Sequence, residues 1–241
     1  MVKQKTIVRH AGQLVYIPRV QRTHPGNLIG YWPLDDTSTI ALDYSRTVGG
    51  NGTHVGDTQL AAHNPFAKKC PLFDGTNDYV SIYSAALNAV FSSSTLTLAA
   101  WVRVQSLGDW TNGEIANVFQ IGADANNRVG IYKAADNSCY ARSIAGGTTA
   151  TSSAYTSTTT DWLSLAATLD RAADELRFYA AGELVSTTGT LGVWAGVLAD
   201  AYCRIGCDHG ATDAWRGYLC HAAVWNVALP ADEIFYLAKR H

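Results

Sequence analysis

Charge is the first thing this sequence is short of: Asp, Glu, Lys and Arg make up 16% of its 241 residues, against about a quarter in an ordinary soluble domain. Long apolar runs are missing too. No stretch approaches the roughly 18 apolar residues that cross a bilayer, which excludes membrane insertion by a helix. Near the start, the apolar run Leu14 to Ile17 is too short for the core of a secretory signal, and none is expected here. Cys70, Cys139, Cys203, Cys207 and Cys220 are odd in number and irregularly spaced, which excludes a complete disulfide framework and leaves buried thiols as the expected state. There is no GxSxG and no motif that places a Cys beside a His, so nucleophilic catalysis has no local signature.

What is present is alternation broken by turns. Phe73 to Tyr83, FDGTNDYVSIY, reads as a strand end, a tight turn at Asp74-Gly75 and Asn77-Asp78, and a strand in which Tyr79, Ser81 and Tyr83 face away from Val80 and Ile82. Thr95 to Val104 is the longest such run, with Leu96, Leu98, Ala100, Val102 and Val104 on one face and Thr97, Ala99, Trp101 and Arg103 on the other. Strands are also predicted at 27–34, 53–60, 71–74, 117–123, 128–133, 138–144, 162–169, 175–180, 184–188, 202–207 and 215–225, with a hairpin turn at Ala181-Gly182-Glu183. The Ser/Thr-rich stretch 148–160 reads equally as low complexity or as strand. Only the tail reads helical, starting at Pro230-Ala231-Asp232-Glu233 and ending on Lys239-Arg240. About a dozen short strands spaced by turns predict an all-β, two-sheet antiparallel sandwich of the jelly-roll kind.

The few charges are unevenly spread. Residues 1–27 hold Lys3, Lys5, Arg9, Arg19 and Arg22 and no acid, leaving 13 Lys and Arg against 20 Asp and Glu in the remainder. This predicts a basic arm over 1–27, with two β-prone patches, on an acidic domain over 28–241. With the basic residues confined to an arm, no nucleic-acid partner is expected.

YWPLDD (31–36), ALDYS (41–45), FDGTNDYVSI (73–82), TLTLAAWV (95–102), DWLSLAATLD (161–170), LRFYAAGELV (176–185) and GYLCHAAVWNVALPADEI (217–234), in this order, resemble the laminin G-like branch of the concanavalin A-like jelly rolls. The resemblance implies the fold and leaves function open, since such folds carry carbohydrate binding, adhesion, particle assembly and glycoside hydrolysis. It implies a structural calcium held by Asp43 and an acid pair in the last long strand, but that pair falls on Cys220-His221, which argues against the ion; no other cofactor is expected. Zinc at Cys203, Cys207, His209, Cys220 and His221 is disfavoured, because residues four apart on a strand lie too far apart for one ion unless Gly206 forms a bulge. A Cys203–Cys220 disulfide across neighbouring strands stays open.

Jelly-roll glycosidases need two carboxylates facing each other across the sugar. Glu114, Glu175, Glu183 and Glu233 are the only glutamates and show no such pattern, so no enzyme is expected. Trp32, Trp101, Trp162 and Trp225 fall within strand motifs and read as core. Trp110, Trp194 and Trp215, in or beside predicted loops with Asp109, Asn112, Asp208, His209 and Asp213, are the candidate glycan- or partner-binding residues, with packing against a neighbouring subunit or capping of the sandwich as the equal alternative. The reading reached from sequence is a non-enzymatic structural or adhesion protein, most simply a phage virion surface component, a capsid decoration or tail-associated protein. It would be a homo-oligomer outside the cell whose arm docks on capsid or tail proteins. The alternative is a carbohydrate-binding module for a surface glycan, with a glycoside hydrolase more distant.

Overall fold

The computed structural model of the chain describes residues 13–45, 50–66 and 68–240. Helix α1 (Gln13–Arg22) leads into β1 (Leu28–Trp32), β2 (Ile40–Ala41), β3 (Gly52–Val55), β4 (Gln59–His63), β5 (Lys69–Asp74) and β6 (Tyr79–Ser81). Helix α2 (Ala85–Val90), β7 (Thr95–Arg103) and the single turn α3 (Leu107–Trp110) precede β8 (Ala116–Asp124), β9 (Asn127–Lys133), β10 (Cys139–Ala145) and β11 (Thr148–Thr151). Then come β12 (Leu163–Asp170), β13 (Glu175–Ala180), β14 (Glu183–Thr188), β15 (Arg204–Ile205), β16 (Arg216–Trp225) and helix α4 (Ala231–Leu237). Among the described residues no helix is long and apolar enough to cross a membrane.

The strands form two antiparallel eight-stranded sheets. The back sheet runs β14-β13-β12-β7-β16-β5-β4 with β1 also on β16, and the front sheet runs β11-β10-β9-β8-β15-β6-β3-β2. This is the jelly-roll sandwich that the alternation predicts. The β13–β14 turn falls on Ala181-Gly182, both with positive φ (53° and 87°), the conformation a tight two-residue hairpin demands. Of the ambiguous stretch 148–160, Thr148–Thr151 pairs with β10 as a strand.

Strand β7 shows what sets the layers. Leu96, Leu98, Ala100, Val102 and Val104 enter the core between the sheets, where they meet Phe119, Ile121, Val129 and Ile131 of the front sheet. Trp101 projects from the opposite face, as a period of two requires. That face is not left to water. Trp101 joins Tyr31, Phe66, Trp162, Tyr179 and Trp225 in a second apolar layer, closed by Val20 of α1 and by Ile234 and Leu237 of α4. Thr97 is buried in this layer because its hydroxyl is matched twice, donating to the Val227 carbonyl (2.6 Å) and accepting from the Leu229 N–H (2.9 Å).

Three helices depart from the sequence reading. Helices α2 and α3 are too short for a periodic pattern and are set by their caps: Ser84 accepts from the Leu87 N–H (2.9 Å), and Ser106 with Asp109 forms a capping box. The third correction concerns the arm. Residues 14–17, read as a β-prone patch, lie in α1, and what is described of the segment is docked on the back layer. Arg19 is 2% exposed and donates to the Tyr236 and Lys239 carbonyls (3.0 and 2.8 Å), lying over the Tyr236 ring. A cation at the last carbonyls of α4 is placed where the helix dipole favours it. Trp225 Nε1 donates to the Thr23 carbonyl (2.8 Å) and His24 pairs with Glu233 (3.2 Å). Arg19 is therefore an internal tie rather than a docking group, Arg22 remains exposed, and Lys3, Lys5 and Arg9 lie outside the described residues. Hydrogen bonds to a charged group contribute about 1.5–3 kcal/mol, so Arg19→Ala should lower the urea-unfolding free energy by about that amount, whereas Arg22→Ala should leave the urea midpoint unchanged.

Candidate functional site

Among the described residues the back of the sandwich is covered and the outer face of the front sheet is left open. Alternation decides what stands on it. In β9, Val129 and Ile131 enter the core while Arg128, Gly130 and Tyr132 face out; in β10, Cys139 and Ala141 enter while Tyr140 and Arg142 face out. Register then aligns side chains across strands: Ser81 opposes Arg204, Arg204 opposes Gln120, Gln120 opposes Gly130, Gly130 opposes Arg142, and Arg142 opposes Thr151. The neighbouring row is Asn117, Tyr132 and Tyr140. A Cβ on Gly130 would come within 2.8 Å of the Phe119 carbonyl, so this position stays bare and forms the floor of a dimple lined by Asn117, Gln120, Arg128, Tyr132 and Arg142.

The cations of this face are held by rings and carbonyls. Arg142 lies over Tyr132 (4.4 Å) and Arg204 over Tyr79 (4.3 Å), while Tyr132 and Tyr140 stand 5.6 Å apart at 26°. Arg204 donates to the Asp208 carbonyl (2.9 Å) and Arg128 to the Ala125 carbonyl (2.6 Å). None of the three forms an ion pair with a described residue. Burial, followed by the nearby Arg142 charge, holds the Arg128 guanidinium below its ordinary value. The buried Nε atoms of Arg128 and Arg204 and the Gln120 Nε2 have no hydrogen-bond partner.

The loop between β15 and β16 forms the rim. Asp208, one of the residues singled out from sequence, accepts from the Thr212 and Asp213 N–H groups (2.9 and 3.2 Å). Burial pushes its carboxyl up, but these bonds and that from Gly210 outweigh it and hold the carboxyl below the usual range. His209 stacks on Tyr202 at 4.8 Å and 10°. Two of the expected tryptophans are not surface groups: Trp110 and Trp215 are each 1% exposed and pack edge to face at 5.6 Å at one end of the core, with Trp110 Nε1 on the Thr159 carbonyl (2.7 Å). Trp194 is half-buried elsewhere, beside Phe91 (5.5 Å) and Arg171. Asp109 is spent on the α3 cap, and Asn112 accepts from the buried Lys133 amine (2.8 Å). Sequence reasoning missed Arg128, Arg142, Arg204, Tyr132 and Tyr140, although the alternation of 128–133 and 138–144 carried the signal.

A cavity of about 440 Å³ lies off this face and is lined by Asp36, Thr37, Ser38, Thr39, His54, Gly56, Asp57 and Thr58. It is polar and without an aromatic platform. Beside it Asp57, Asp74 and Asp78 bring carboxylate oxygens within 4.8 Å of one another, a group that could hold a metal ion. Both Asp78 oxygens also accept main-chain N–H groups, from Asp57 and Asp74 (3.0 Å each). Burial pushes the Asp78 carboxyl up against those bonds, and the Asp74 and Asp57 charges push it the same way.

Calcium at Asp43 does not fit. The Asp43 carboxylate accepts from the N–H groups of Tyr31, Ser45 and Gly50 (2.9, 2.8 and 2.9 Å) and from the Ser45 hydroxyl (2.7 Å), leaving it spent on holding its loop. Where the resemblance places an acid stands His221, on a bulge of β16 at φ 52°, with Nδ1 on the Tyr31 hydroxyl (2.8 Å) and Nε2 near the Asn64 amide (3.3 Å). The cysteines form neither of the arrangements left open: all five are free and buried, with Cys203 between the sheets and Cys220 in the back layer. Burial lowers the His221 pKa from 6.5 to about 3. The unfolded chain then takes up the proton first, so stability present above pH 6.5 is lost as pH falls towards 3. Asn tolerates the left-handed backbone, so His221→Asn should flatten this acid limb by at most about 1.4 kcal/mol per pH unit, as read from urea unfolding between pH 4 and 7.

Comparison with known proteins places the fold. No curated protein sequence matches the chain. Among solved structures, domain 4 of an extracellular GH43 arabinanase from Geobacillus stearothermophilus, in complex with arabinotriose, is 15% identical with a TM-score of 0.64, over 88% of this chain and 98% of that one. Trypanosoma rangeli sialidase in complex with sialic acid gives 15% and 0.64 over 88% of this chain and 33% of that one, so the chain spans a third of that enzyme. The receptor-binding domain of botulinum neurotoxin mosaic serotype C/D gives 11% and 0.66 over 89% and 51%. At these identities the likeness is one of fold. The sequence profile of the family matches residues 74–235, and with two sheets, register and profile in agreement, the chain belongs to the laminin G-like group of the concanavalin A-like lectin/glucanases superfamily.

Proposed function

We propose that this chain is a non-catalytic carbohydrate-binding domain that holds a sugar chain against the outer face of its front sheet. The observation that carries this reading is the composition of that face: the stacked Tyr132 and Tyr140 rings stand beside the Asn117 and Gln120 amides. Aromatic rings pack on the apolar faces of sugars while amides and guanidinium groups bond hydroxyls. The arabinanase domain bound to arabinotriose supports it by fold alone.

The placement of carboxylates favours binding over hydrolysis. Glu175 is paired with Arg177, Glu233 with His24, and Glu114 accepts from Asn112. Around the face the acids are Asp136, Asp200, Asp208 and Asp213; Asp136 accepts from the Tyr140 hydroxyl, Asp200 from the Ser81 hydroxyl (2.7 Å), and Asp208 is spent on main-chain N–H groups. The virion-surface reading depends on an arm free to dock. Arg19 is turned inward, and no described residue favours that reading over glycan binding.

If calcium accompanies this function, we assign it to Asp57, Asp74 and Asp78, where a cation relieves the repulsion on Asp78. A hundredfold excess of calcium over its dissociation constant would add about 2.7 kcal/mol, so calcium should raise the Tm of the wild type and not that of Asp74→Asn; equal Tm values with calcium and with chelator would dismiss the ion. For the sugar, Tyr132→Ala and Tyr140→Ala should each weaken retention in polysaccharide affinity gels by about 0.5–1.5 kcal/mol, roughly two- to twelvefold, with the Tm preserved. No new reducing ends should appear on prolonged incubation; their release would make the protein a hydrolase.

A further inference from the structure

Resting on the glycan-binding reading, we infer that the sugar chain this face takes is acidic, and that Arg128, Arg142 and Arg204 read its anionic groups. Three observations converge. First, register puts Arg204 and Arg142 in one row with Gln120 and Gly130 between them, and Arg128 lines the same dimple as Arg142. Three strand spacings separate Arg204 from Arg142, about 14 Å, longer than one sugar ring, so the ligand is a chain.

Second, these cations lack a carboxylate partner. None is in an ion pair with a described residue, and burial followed by the neighbouring Arg142 charge holds the Arg128 guanidinium below its ordinary value. Like charges held together without a counter-ion cost stability, and a bound anion removes that cost. Elsewhere in this chain guanidinium groups do have a paired acid: Arg177 pairs with Glu175 and Arg240 with Asp161.

Third, the dimple has a built donor. Gln120 is 2% exposed, lines the dimple, and its Nε2 has no partner; the buried Nε of Arg128, which lines the same dimple, also has none. The space above Gly130 is about 10 Å³, room for one group the size of a water. An oxygen of a carboxylate or sulfate on a sugar ring matches that volume and meets donors on two sides. The acids Asp136, Asp200, Asp208 and Asp213 stand around the row, so the positive centre is framed and favours a polymer carrying spaced charges over a dense polyanion.

The test uses the full chain in affinity electrophoresis and biolayer interferometry with polygalacturonate, the same polymer after carboxyl reduction, chondroitin sulfate, dextran, and a single-stranded oligonucleotide. Retention by polygalacturonate or chondroitin sulfate is expected, with the stronger of the two showing whether carboxylate or sulfate is preferred. Affinity should drop at least tenfold on carboxyl reduction or in dextran, and fall with added salt. Arg128→Gln and Arg142→Gln should each lose about tenfold at unchanged Tm, and Arg177→Gln, off this face, should lose nothing. Equal binding of neutral and acidic polymers would overturn the acidic preference while leaving glycan binding intact. No retention of any polysaccharide would overturn both. Tighter binding of the oligonucleotide than of every polysaccharide, or acidic binding that survives the Arg128→Gln/Arg142→Gln double variant, would also overturn it.

Discussion

The burial of both faces of the back sheet is the constraint on which the remaining architecture depends. A strand such as β7 that carries Leu98 on one side and Trp101 on the other must be covered twice. The front sheet supplies the first cover and makes the jelly-roll core. The second comes from segments at opposite ends of the described chain, α1 and α4, and leaving it off would expose Trp101, Trp162 and Trp225 together, far more contiguous apolar surface than a soluble domain tolerates. Arg19 couples the two helices of this second cover, because its guanidinium terminates α4 while Val20 beside it enters the apolar layer. The open face is thereby assigned to the front sheet.

Much of this was legible from sequence wherever a period of two operated alone. The faces of 95–104, the hairpin at Ala181-Gly182 and the strand at 175–180 stand as the alternation says. Helix α1 was not legible, since Val15, Ile17 and Pro18 argue against a helix locally and tertiary packing overrides propensity. Trp110 and Trp215 misled for a related reason. Loops flank them in sequence, but the chain folds both rings inward to plug one end of the core, which no local pattern encodes. The arginine and tyrosine face failed differently. Each strand showed its outward residues, yet only the register that sets Arg204 beside Gln120 and Gly130 beside Arg142 makes them one surface.

The place where the resemblance implies calcium illustrates how a site can be converted into packing. Tyr31 links its two halves, with its N–H on Asp43 and its hydroxyl on His221. A neutral imidazole, buried and kept neutral by that burial, stands where an acid would be needed, so the linkage needs no ion to balance it. The bulge that holds His221 also marks where β16 changes neighbour, from β5 at Arg216–Tyr218 to β1 at Ala222–Trp225. Structure at this junction is carried by hydrogen bonds that a metal would have to displace.

Strand β9 shows why the cations of the front face are arginines. Its alternation sends Arg128 outward and Lys133 inward, two cations five residues apart in opposite surroundings. Lys133, 1% exposed, survives by donating to Asn112 Oδ1 and the Glu114 carbonyl (2.8 and 2.6 Å), while burial pushes its amine below its ordinary value. An ammonium demands that kind of enclosure because it is compact and strongly hydrated. A guanidinium is more weakly hydrated, lies flat on an aromatic ring and keeps its charge without a paired acid. Laid over Tyr132 and Tyr79, Arg142 and Arg204 are held in place by faces rather than by carboxylates. A sheet surface built this way is held on strands rather than loops, and the ordering of its side chains is met in folding.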